Sequence, residues 1–257
     1  MKTKIKNNLK SLTNQEIERY NRHILLEEID IHGQSELLEK HVCLIGLGGL
    51  GCPIAYYLTS SGIGELTIID YDRIDTTNLQ RQILFNSLDV NKKKVEVAFE
   101  KLTQLNPTIK INKVDKQINS HINNVIFKNC DLIIDATDNF KTRTIINKIS
   151  IDNKKPLIMG SAAKMEGQVA VFRNDLPNMP CYNCLYNDLD DENKSCLDQG
   201  VLSSLTGIIG SIQATESIKL LLNFGETLES KLLLIDVKYS NYRIVNLKQD
   251  KKCKVCS

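Results

Sequence analysis

The sequence contains no tryptophan, and aromatic residues make up only 5% of its 257 positions. Proteins that hold single-stranded nucleic acid stack its bases on aromatic side chains, so this scarcity argues against such a surface. An excess of one charge is also lacking, because 33 lysines and arginines face 31 aspartates and glutamates and leave a formal net charge of +2. A nucleic-acid binder concentrates basic residues, and we therefore predict no nucleic-acid partner.

Long apolar runs are absent as well. No stretch approaches the roughly 20 apolar residues that a membrane-spanning helix needs, so we predict no membrane partner. The first ten residues include four lysines but lack the apolar core of a secretory signal. We therefore expect a cytoplasmic protein, or a stromal protein if the gene belongs to an organelle.

Short apolar runs alternate with helical patterns up to residue 160. This alternation is typical of an α/β fold whose doubly wound, mostly parallel sheet carries helices on both faces. A capping box at Thr13 and Glu16 begins a helix predicted to run to about Glu28. Further helices are predicted over residues 91–105, 119–129, 140–152 and 206–223. Strands are predicted over residues 41–45, 66–70, 108–114, 131–136, 156–159 and 168–172.

The pattern changes after residue 160. Residues 173–200 are predicted to be mostly irregular, and two late antiparallel strands are predicted over 231–237 and 242–247. We therefore predict one Rossmann-like domain over residues 1–257. Its predicted parts are an N-terminal helical arm (1–35), a nucleotide-binding part (36–160) and a C-terminal part (161–257).

A glycine-rich turn between a predicted strand and a predicted helix is the most informative local pattern. Gly46, Gly48 and Gly51 follow the strand over 41–45 with G-x-G-x-x-G spacing. Such glycines allow a tight bend, the approach of a phosphate to backbone N–H groups, and close packing of helix and strand. Asp70 ends the next strand, where it can accept hydrogen bonds from ribose hydroxyls. The motif indicates a nucleotide, which can be either NAD or ATP.

Polar side chains follow two predicted strands at their carboxyl ends, where open α/β sheets bind ligands. After one strand come carboxylate, amide and guanidinium groups, namely those of Asp72, Asn78, Arg81 and Gln82. After another strand comes Asp138. These residues form either an ordinary surface loop or the wall of a crevice. Their clustering beside the glycine turn favours the crevice.

The choice between NAD and ATP depends on cations. A dehydrogenase needs the glycine turn and an acid for the ribose, but it needs no group of basic side chains around the phosphates. Here Arg81 and Lys94 follow the βαβ unit, and Asp138 supplies a carboxylate able to hold Mg²⁺. The set favours attack on the α-phosphate of ATP, with release of pyrophosphate, over hydride transfer.

Four of the eight cysteines form two C-x-x-C pairs, Cys181 with Cys184 and Cys253 with Cys256. Four thiolates suit tetrahedral, structural Zn²⁺ and leave no open position for catalysis. The 68 residues between the pairs exceed the spacing of a zinc ribbon, so the metal would join the C-terminal tail to the irregular stretch. The alternatives are redox-active or free thiols, or disulfides of a secreted protein. Cys196 is either a nucleophilic thiol or an inert surface cysteine.

Taken in order, these motifs resemble the ThiF/MoeB/HesA family of adenylyltransferases. These enzymes act in molybdopterin and thiamine biosynthesis and are bacterial relatives of ubiquitin-activating enzymes. The resemblance extends from Arg19 to Cys256. Besides both C-x-x-C pairs, the matching stretches are Arg19-Tyr-Asn-Arg22, Gly46-Leu-Gly-Gly-Leu-Gly51, Asp70-Tyr-Asp72, Asn78-Leu-Gln-Arg-Gln82, Lys94, Thr137-Asp-Asn139, Met165-Glu-Gly-Gln168 and Cys196.

The resemblance implies an enzyme that uses ATP and Mg²⁺ to adenylate the C-terminal Gly-Gly carboxylate of a small ubiquitin-like sulfur carrier protein, before thiocarboxylate formation. It implies that Asp138 holds Mg²⁺ and that Arg22 reaches the neighbouring subunit's site in a homodimer. Cys196 matches a loop cysteine that takes up the carrier through sulfur in the thiamine branch. Residues 161–257 would bind the carrier and zinc. The residues implied to contact the nucleotide are Gly48, Gly49, Asp70, Thr77, Asn78, Leu79, Gln80, Arg81, Lys94, Asp138 and Asn139.

Two features depart from the family pattern. Ala136 stands where relatives often have a cysteine, and the chain ends at Ser257 without a sulfurtransferase domain, so a separate protein is expected to donate sulfur. Residues 165–168 are similar to the molybdopterin branch, whereas residues 82–85 and 102–107 are similar to the thiamine branch. The pathway and the carrier therefore stay open. An NAD-dependent oxidoreductase and a non-catalytic nucleotide-binding scaffold are the alternative functions.

Overall fold

Helices and strands follow one another largely in the predicted order. The computed structural model describes residues 11–119, 125–186 and 200–257. In this part of the chain the helices are α1 (Asn14–Arg19), α2 (Asn21–Ile24), α3 (Asp30–Leu37), α4 (Gly51–Ser61), α5 (Lys94–Leu105), α6 (Val125–Lys128), α7 (Phe140–Asp152), α8 (Tyr182–Leu185) and α9 (Ser203–Leu222). The strands are β1 (His41–Ile45), β2 (Glu65–Ile69), β3 (Lys110–Val114), β4 (Leu132–Asp135), β5 (Leu157–Ala163), β6 (Glu166–Phe172), β7 (Lys231–Asp236) and β8 (Asn241–Asn246).

The eight strands of the described residues form one sheet in the order β3-β2-β1-β4-β5-β6-β7-β8. The first five in that order pair in parallel, and the last four pair antiparallel. Val42 of β1 lies beside Leu66 of β2 on one side and Leu132 of β4 on the other. The predicted parallel core and its late antiparallel strands are confirmed.

Both faces of the sheet are covered, because successive residues of the inner strands enter two different apolar cores. Val42 and Leu44 of β1 belong to the core that includes residues of α4, α5 and α9. Cys43 and Ile45 belong to the core that includes residues of α6 and α7. The prediction of helices on both faces is therefore confirmed. Within the described ranges, no helix is both long and apolar enough to cross a membrane.

The N-terminal helix is shorter than predicted, although its capping box is present. The Glu16 carboxylate accepts a hydrogen bond from the Thr13 N–H at 2.8 Å, and the Thr13 hydroxyl accepts one from the Glu16 N–H at 3.2 Å. The single helix predicted up to Glu28 is wrong, because α1 ends at Arg19. Tyr20 leaves the helical conformation at φ −99° and ψ 13°. Its buried hydroxyl instead accepts a hydrogen bond from Asn106 at 2.8 Å.

Helix α5 begins three residues later than predicted. Asn91 has a left-handed φ of 69°, and Lys93 is extended and forms a β-bridge with Arg73, so neither residue fits a helix. The later start makes Lys94 the first residue of α5. The helix predicted over 119–129 is present only as α6, and residues 120–124 lie outside the described residues.

Candidate functional site

The turn between β1 and α4 approaches the end of β4 so closely that only glycine fits. Gly46 has a φ of +94°, and a Cβ there would lie 2.8 Å from the carbonyl oxygen of Ala136. A Cβ on Gly51 would lie 1.9 Å from the carbonyl oxygen of Gly46. Gly48 and Gly49, between these two positions, line a cleft at the carboxyl ends of the parallel strands. The predicted tight turn is therefore present beside an opening that a ligand can enter.

Asp70 lies in the wall of this cleft just beyond β2. Its Oδ2 accepts a hydrogen bond from the Leu47 N–H at 2.7 Å, and its Oδ1 accepts one from the Asp72 N–H at 2.8 Å. Burial raises the pKa of Asp70, and the positive charge of Lys94 opposes that rise. Two backbone bonds hold the carboxylate in one orientation, and each oxygen keeps a further lone pair for a ligand hydroxyl.

Lys94 brings a nearly buried cation to the same wall. Its Nζ lies 2.9 Å from Oδ2 of Asp72, and only 6% of its side chain is exposed, against 45% for Asp72. The Lys94 backbone N–H also donates to the Asp72 carbonyl oxygen at 3.0 Å. A buried ammonium needs a counter-charge, and the half-exposed Asp72 carboxylate supplies it. An anionic ligand in the cleft would meet a cation that is already fixed in position.

The end of β4 contributes a second carboxylate to the cleft. Asp138 is exposed, and its Oδ1 accepts a long hydrogen bond of 3.5 Å from the Asn139 side chain. Asn139 is the N-cap of α7, where its Oδ1 accepts from the Thr142 N–H at 2.9 Å. An exposed carboxylate with one weak contact keeps its oxygens available for a hard cation such as Mg²⁺.

The structure brings most of the predicted nucleotide-binding residues together in this one cleft. They come from the glycine turn, from the segment after β2, from the first residue of α5 and from the end of β4. The predicted residues that line it are Gly48, Gly49, Asp70, Gln80, Arg81, Lys94, Asp138 and Asn139.

Four predicted residues, all described by the structure, do not line the cleft. Arg22 is exposed on α2, and Thr77, Asn78 and Leu79 lie in and just after a short 3₁₀ turn. The Asn78 side chain accepts from the Asp75 N–H at 3.2 Å and so caps that turn. The turn orients the segment that leads to Arg81, whose Nη1 donates to the Thr77 carbonyl oxygen at 3.1 Å.

Several parts of the cleft wall are not among the predicted residues. One is the segment 116–118, which follows β3. Its position after a strand is a signal that sequence reasoning had available. Others are Arg143 of α7 and Thr206 of α9. Helical residues carry no such signal, because their approach to the cleft depends on how the helices pack.

The two C-x-x-C pairs lie together. The Sγ atoms of all four cysteines are within 4.8 Å of one another. Individual separations are 3.9 Å between Cys181 and Cys184, 3.7 Å between Cys181 and Cys253, and 3.5 Å between Cys184 and Cys256. Tetrahedral zinc with Zn–S bonds of about 2.3 Å requires sulfur separations of about 3.8 Å. The four thiols therefore fit a structural metal ion. Cys196 lies outside the described residues.

Comparison with known proteins gives consistent matches. A profile of the ThiF family matches residues 20–255. The molybdopterin-synthase adenylyltransferase of Salmonella typhimurium is 39% identical over 245 residues, which cover 95% of this chain and 98% of that protein. The sulfur carrier protein adenylyltransferase of Thermus thermophilus is 34% identical over 251 residues, which cover 95% of this chain and 92% of that protein.

Two further comparisons concern length and fold. The adenylyltransferase and sulfurtransferase MOCS3 of Culex quinquefasciatus is 40% identical over 255 residues, which cover 98% of this chain but only 58% of that protein. Among solved structures, Escherichia coli MccB with AMPCPP and MccA matches with a TM-score of 0.81 and 23% identity, covering 96% of this chain and 77% of that one. This last likeness concerns the fold alone.

Proposed function

This chain belongs to the ThiF family, and on that basis we propose that it is an ATP-dependent adenylyltransferase that activates the C-terminal Gly-Gly carboxylate of a small ubiquitin-like sulfur carrier protein. The observation that carries the proposal is the meeting of Arg81, Lys94 and Asp138 in one cleft with the glycine turn and Asp70. Two cations and an exposed carboxylate suit a triphosphate and a metal ion. NAD needs only the turn and the acid.

In the proposed reaction, a carboxylate oxygen of the carrier's last glycine attacks the α-phosphorus of ATP. A bond forms between that oxygen and phosphorus, and the bond from phosphorus to the oxygen that bridges to the β-phosphate breaks. Pyrophosphate leaves with the bridging oxygen and its electron pair, and an acyl-adenylate remains. Such a transfer depends mainly on the alignment of the two reactants and on cations that stabilise the leaving charge.

We assign the nucleotide-binding roles as follows. The amides of Gly48 and Gly49 hold phosphate, and Asp70 accepts from the ribose hydroxyls. Arg81 and Lys94 stabilise the phosphates, with Thr77, Asn78, Leu79 and Gln80 forming the segment that presents Arg81. Asp138, with Asn139 beside it, would hold Mg²⁺, and a bound Mg²⁺ would supply positive charge to the leaving pyrophosphate.

The enzyme acts in the cytoplasm as a homodimer in which Arg22 enters the neighbouring subunit's cleft. Cys181, Cys184, Cys253 and Cys256 hold a structural zinc ion. A separate protein donates sulfur, and Cys196 is the thiol through which sulfur transfer to the carrier can pass.

Carrier-dependent exchange of labelled pyrophosphate into ATP tests the activity. We expect exchange with a carrier that ends in Gly-Gly and none with the same carrier lacking its last glycine. Asp138→Asn is expected to lower exchange by at least about 10²-fold. Asp152→Asn is the matched control, because Asp152 pairs with Lys148 at 3.0 Å on an exposed part of α7. Absence of exchange with every Gly-Gly carrier tried, together with tight binding of NAD, would favour an oxidoreductase instead.

The pathway needs a separate experiment. The molybdopterin-synthase adenylyltransferases of Salmonella typhimurium and Escherichia coli, at 39% and 38% identity, make the molybdopterin carrier the first candidate. The thiamine carrier is the second. Capture of the native carrier on the protein in the presence of ATP, followed by mass spectrometry, identifies which one is used.

A further inference from the structure

A buried acid ends the strand that leads to Asp138. Asp135 is 1% exposed. Its Oδ1 accepts two hydrogen bonds from Thr137, from the N–H at 2.9 Å and from the hydroxyl at 2.7 Å. Its Oδ2 is buried and has no hydrogen-bond partner in the part of the chain that the structure describes. Burial raises the pKa of this carboxyl, and the positive charge of Arg143 opposes the rise.

Arg143 contacts the same short segment from the other side. It is 4% exposed, and its Nη2 donates to the Thr137 carbonyl oxygen at 2.7 Å. Its Nε is buried and meets no hydrogen-bond partner within residues 11–119, 125–186 and 200–257. The N–H and hydroxyl of Thr137 are thus bound by Asp135, and its carbonyl oxygen by Arg143. Thr137 is the residue immediately before Asp138, so both peptide units that flank Thr137 are fixed.

One turn further along α7, Asn147 anchors the helix that carries Arg143. Asn147 is fully buried, and its Nδ2 donates to Asn183 Oδ1 at 2.9 Å while its Oδ1 accepts from the Tyr182 N–H at 3.2 Å. Both partners lie in α8, between the first two cysteines of the metal-fitting cluster. The position of Arg143 is therefore set by the contacts of α7 with α8 as well as by its own hydrogen bond to Thr137.

Stability alone does not account for a buried carboxylate and guanidinium at this place. Removing two charged groups from water costs more than burying apolar side chains of similar size, and the unpartnered Oδ2 and Nε add to that cost. Among the described residues, the Asp138 side chain has only the 3.5 Å contact with Asn139 to orient it. The backbone before Asp138 must then fix the position of its carboxylate, because the contact of the side chain with Asn139 is too weak to do so.

We propose that Asp135 and Arg143 are positioning residues, which hold Thr137 from both sides and thereby fix the Asp138 carboxylate where it meets the metal ion and the nucleotide. This inference rests on the proposed function, and it assigns Asp135 and Arg143 a role that acts through Thr137. Loss of either residue is expected to disturb the placement of the metal ion more than the affinity for ATP.

The test compares Asp135→Asn, Arg143→Gln and the double variant. Each single change leaves the other charge buried without compensation, so Tm is expected to fall. In the double variant both charges are gone, and Tm is expected to return toward the wild-type value. The kcat of pyrophosphate exchange should nevertheless stay about 10- to 100-fold low in all three, because a displacement of about 1 Å can cost that much. Recovery of kcat together with Tm in the double variant would overturn the proposal.

Metal binding gives a readout that needs no carrier and no turnover. Binding of Mn²⁺ to the protein loaded with a non-hydrolysable ATP analogue, followed by electron paramagnetic resonance, should weaken several-fold in Arg143→Lys. That variant keeps the charge but loses the fixed guanidinium geometry. The affinity for the analogue without metal should stay within about twofold. Weaker analogue binding with unchanged Mn²⁺ binding would make Arg143 a nucleotide contact and contradict a positioning role.

Arg173→Gln is the matched control. Arg173 is also a partly buried arginine in ion pairs, with Asp175 at 2.7 Å and Glu229 at 2.9 Å, but it does not line the cleft. Its replacement should lower Tm and leave both Mn²⁺ binding and the exchange kcat unchanged. Because the Mn²⁺ measurement needs no carrier, absence of pyrophosphate exchange in the wild type would contradict the proposed function without deciding the role of Arg143.

Discussion

Two neighbouring lysines differ in burial, and this difference predicts which one serves the reaction. Lys94 lines the cleft with 6% of its side chain exposed, whereas Lys93 is 31% exposed and pairs with Asp115 at 3.2 Å outside it. An exposed ion pair of that kind contributes less than about 1 kcal/mol to stability. A fixed, buried cation beside developing negative charge lowers the activation free energy of the reaction by more than that amount.

We therefore expect Lys94→Gln to lower the kcat of pyrophosphate exchange by about 10²- to 10³-fold. The fold should tolerate the change, because Asp72, the partner left behind, is 45% exposed and can be hydrated. Lys93→Gln serves as the control and should stay within about twofold of the wild-type exchange rate. Equal losses in both variants would mean that general positive charge on this face, rather than Lys94 itself, acts on the phosphates.

At the residue scale, sequence predicts those site residues that follow a strand. Asp70 and Asp138 fall in the cleft because the carboxyl ends of parallel strands meet at one edge of the sheet. The same reasoning does not identify Asp135 or Arg143 as site residues. Asp135 is the last residue of a buried strand, Arg143 sits on a helix, and their common contact with Thr137 exists only once α7 packs on the sheet.

At the scale of elements, apolar runs locate the strands well, whereas some helix boundaries depend on single backbone conformations. The strands over 41–45 and 168–172 fall where they are expected because continuous apolar runs mark buried strands. Left-handed residues are harder to foresee. Asp30, at φ 51°, is the first residue of α3, and Asn91, at φ 69°, lies just before the start of α5. Aspartate and asparagine also occur at ordinary helical positions, so their side chains do not mark these residues as left-handed.

The C-terminal tail is the element whose order depends most on the four cysteines. Beyond β8, Cys253 and Cys256 bring the tail against Cys181 and Cys184 of the segment around α8. A short polar tail cannot bury enough apolar surface to order itself, so metal binding would supply the ordering free energy.

We expect about one zinc ion per chain by elemental analysis, and less than half of that in Cys253→Ser. Chelation of the wild type should expose the lysines at 251–254 to trypsin and lower Tm. Cys130→Ala is the control, because Cys130 is buried in the core and its thiol donates to the Phe127 carbonyl oxygen, away from the cluster. Full metal content in Cys253→Ser, or disulfides within the pairs of the wild type, would contradict a zinc site.

At the scale of the whole molecule, the proposed site residue Arg22 lies apart from the cleft that holds the other proposed site residues. Arg22 is exposed on α2 and does not line the cleft of its own chain. Leu25 and Leu26, just beyond it, are 66% and 49% exposed. Exposed apolar side chains next to an exposed arginine suit a surface that a second copy covers, and a twofold interface would bring each Arg22 to the other subunit.

Mixing two inactive variants tests this arrangement quantitatively. Arg22→Ala and Asp138→Ala are each expected to lose exchange activity as homodimers. A mixed dimer would hold one complete cleft, with Asp138 from the Arg22→Ala subunit and Arg22 from its partner, while the other cleft lacks both residues. Equal mixing with full subunit exchange makes half of the dimers mixed, so roughly a quarter of the wild-type activity should return. If Arg22 acts within its own chain, every cleft in the mixture lacks one residue, and no activity returns. Recovery of about a quarter would therefore require that the active site is shared between two chains.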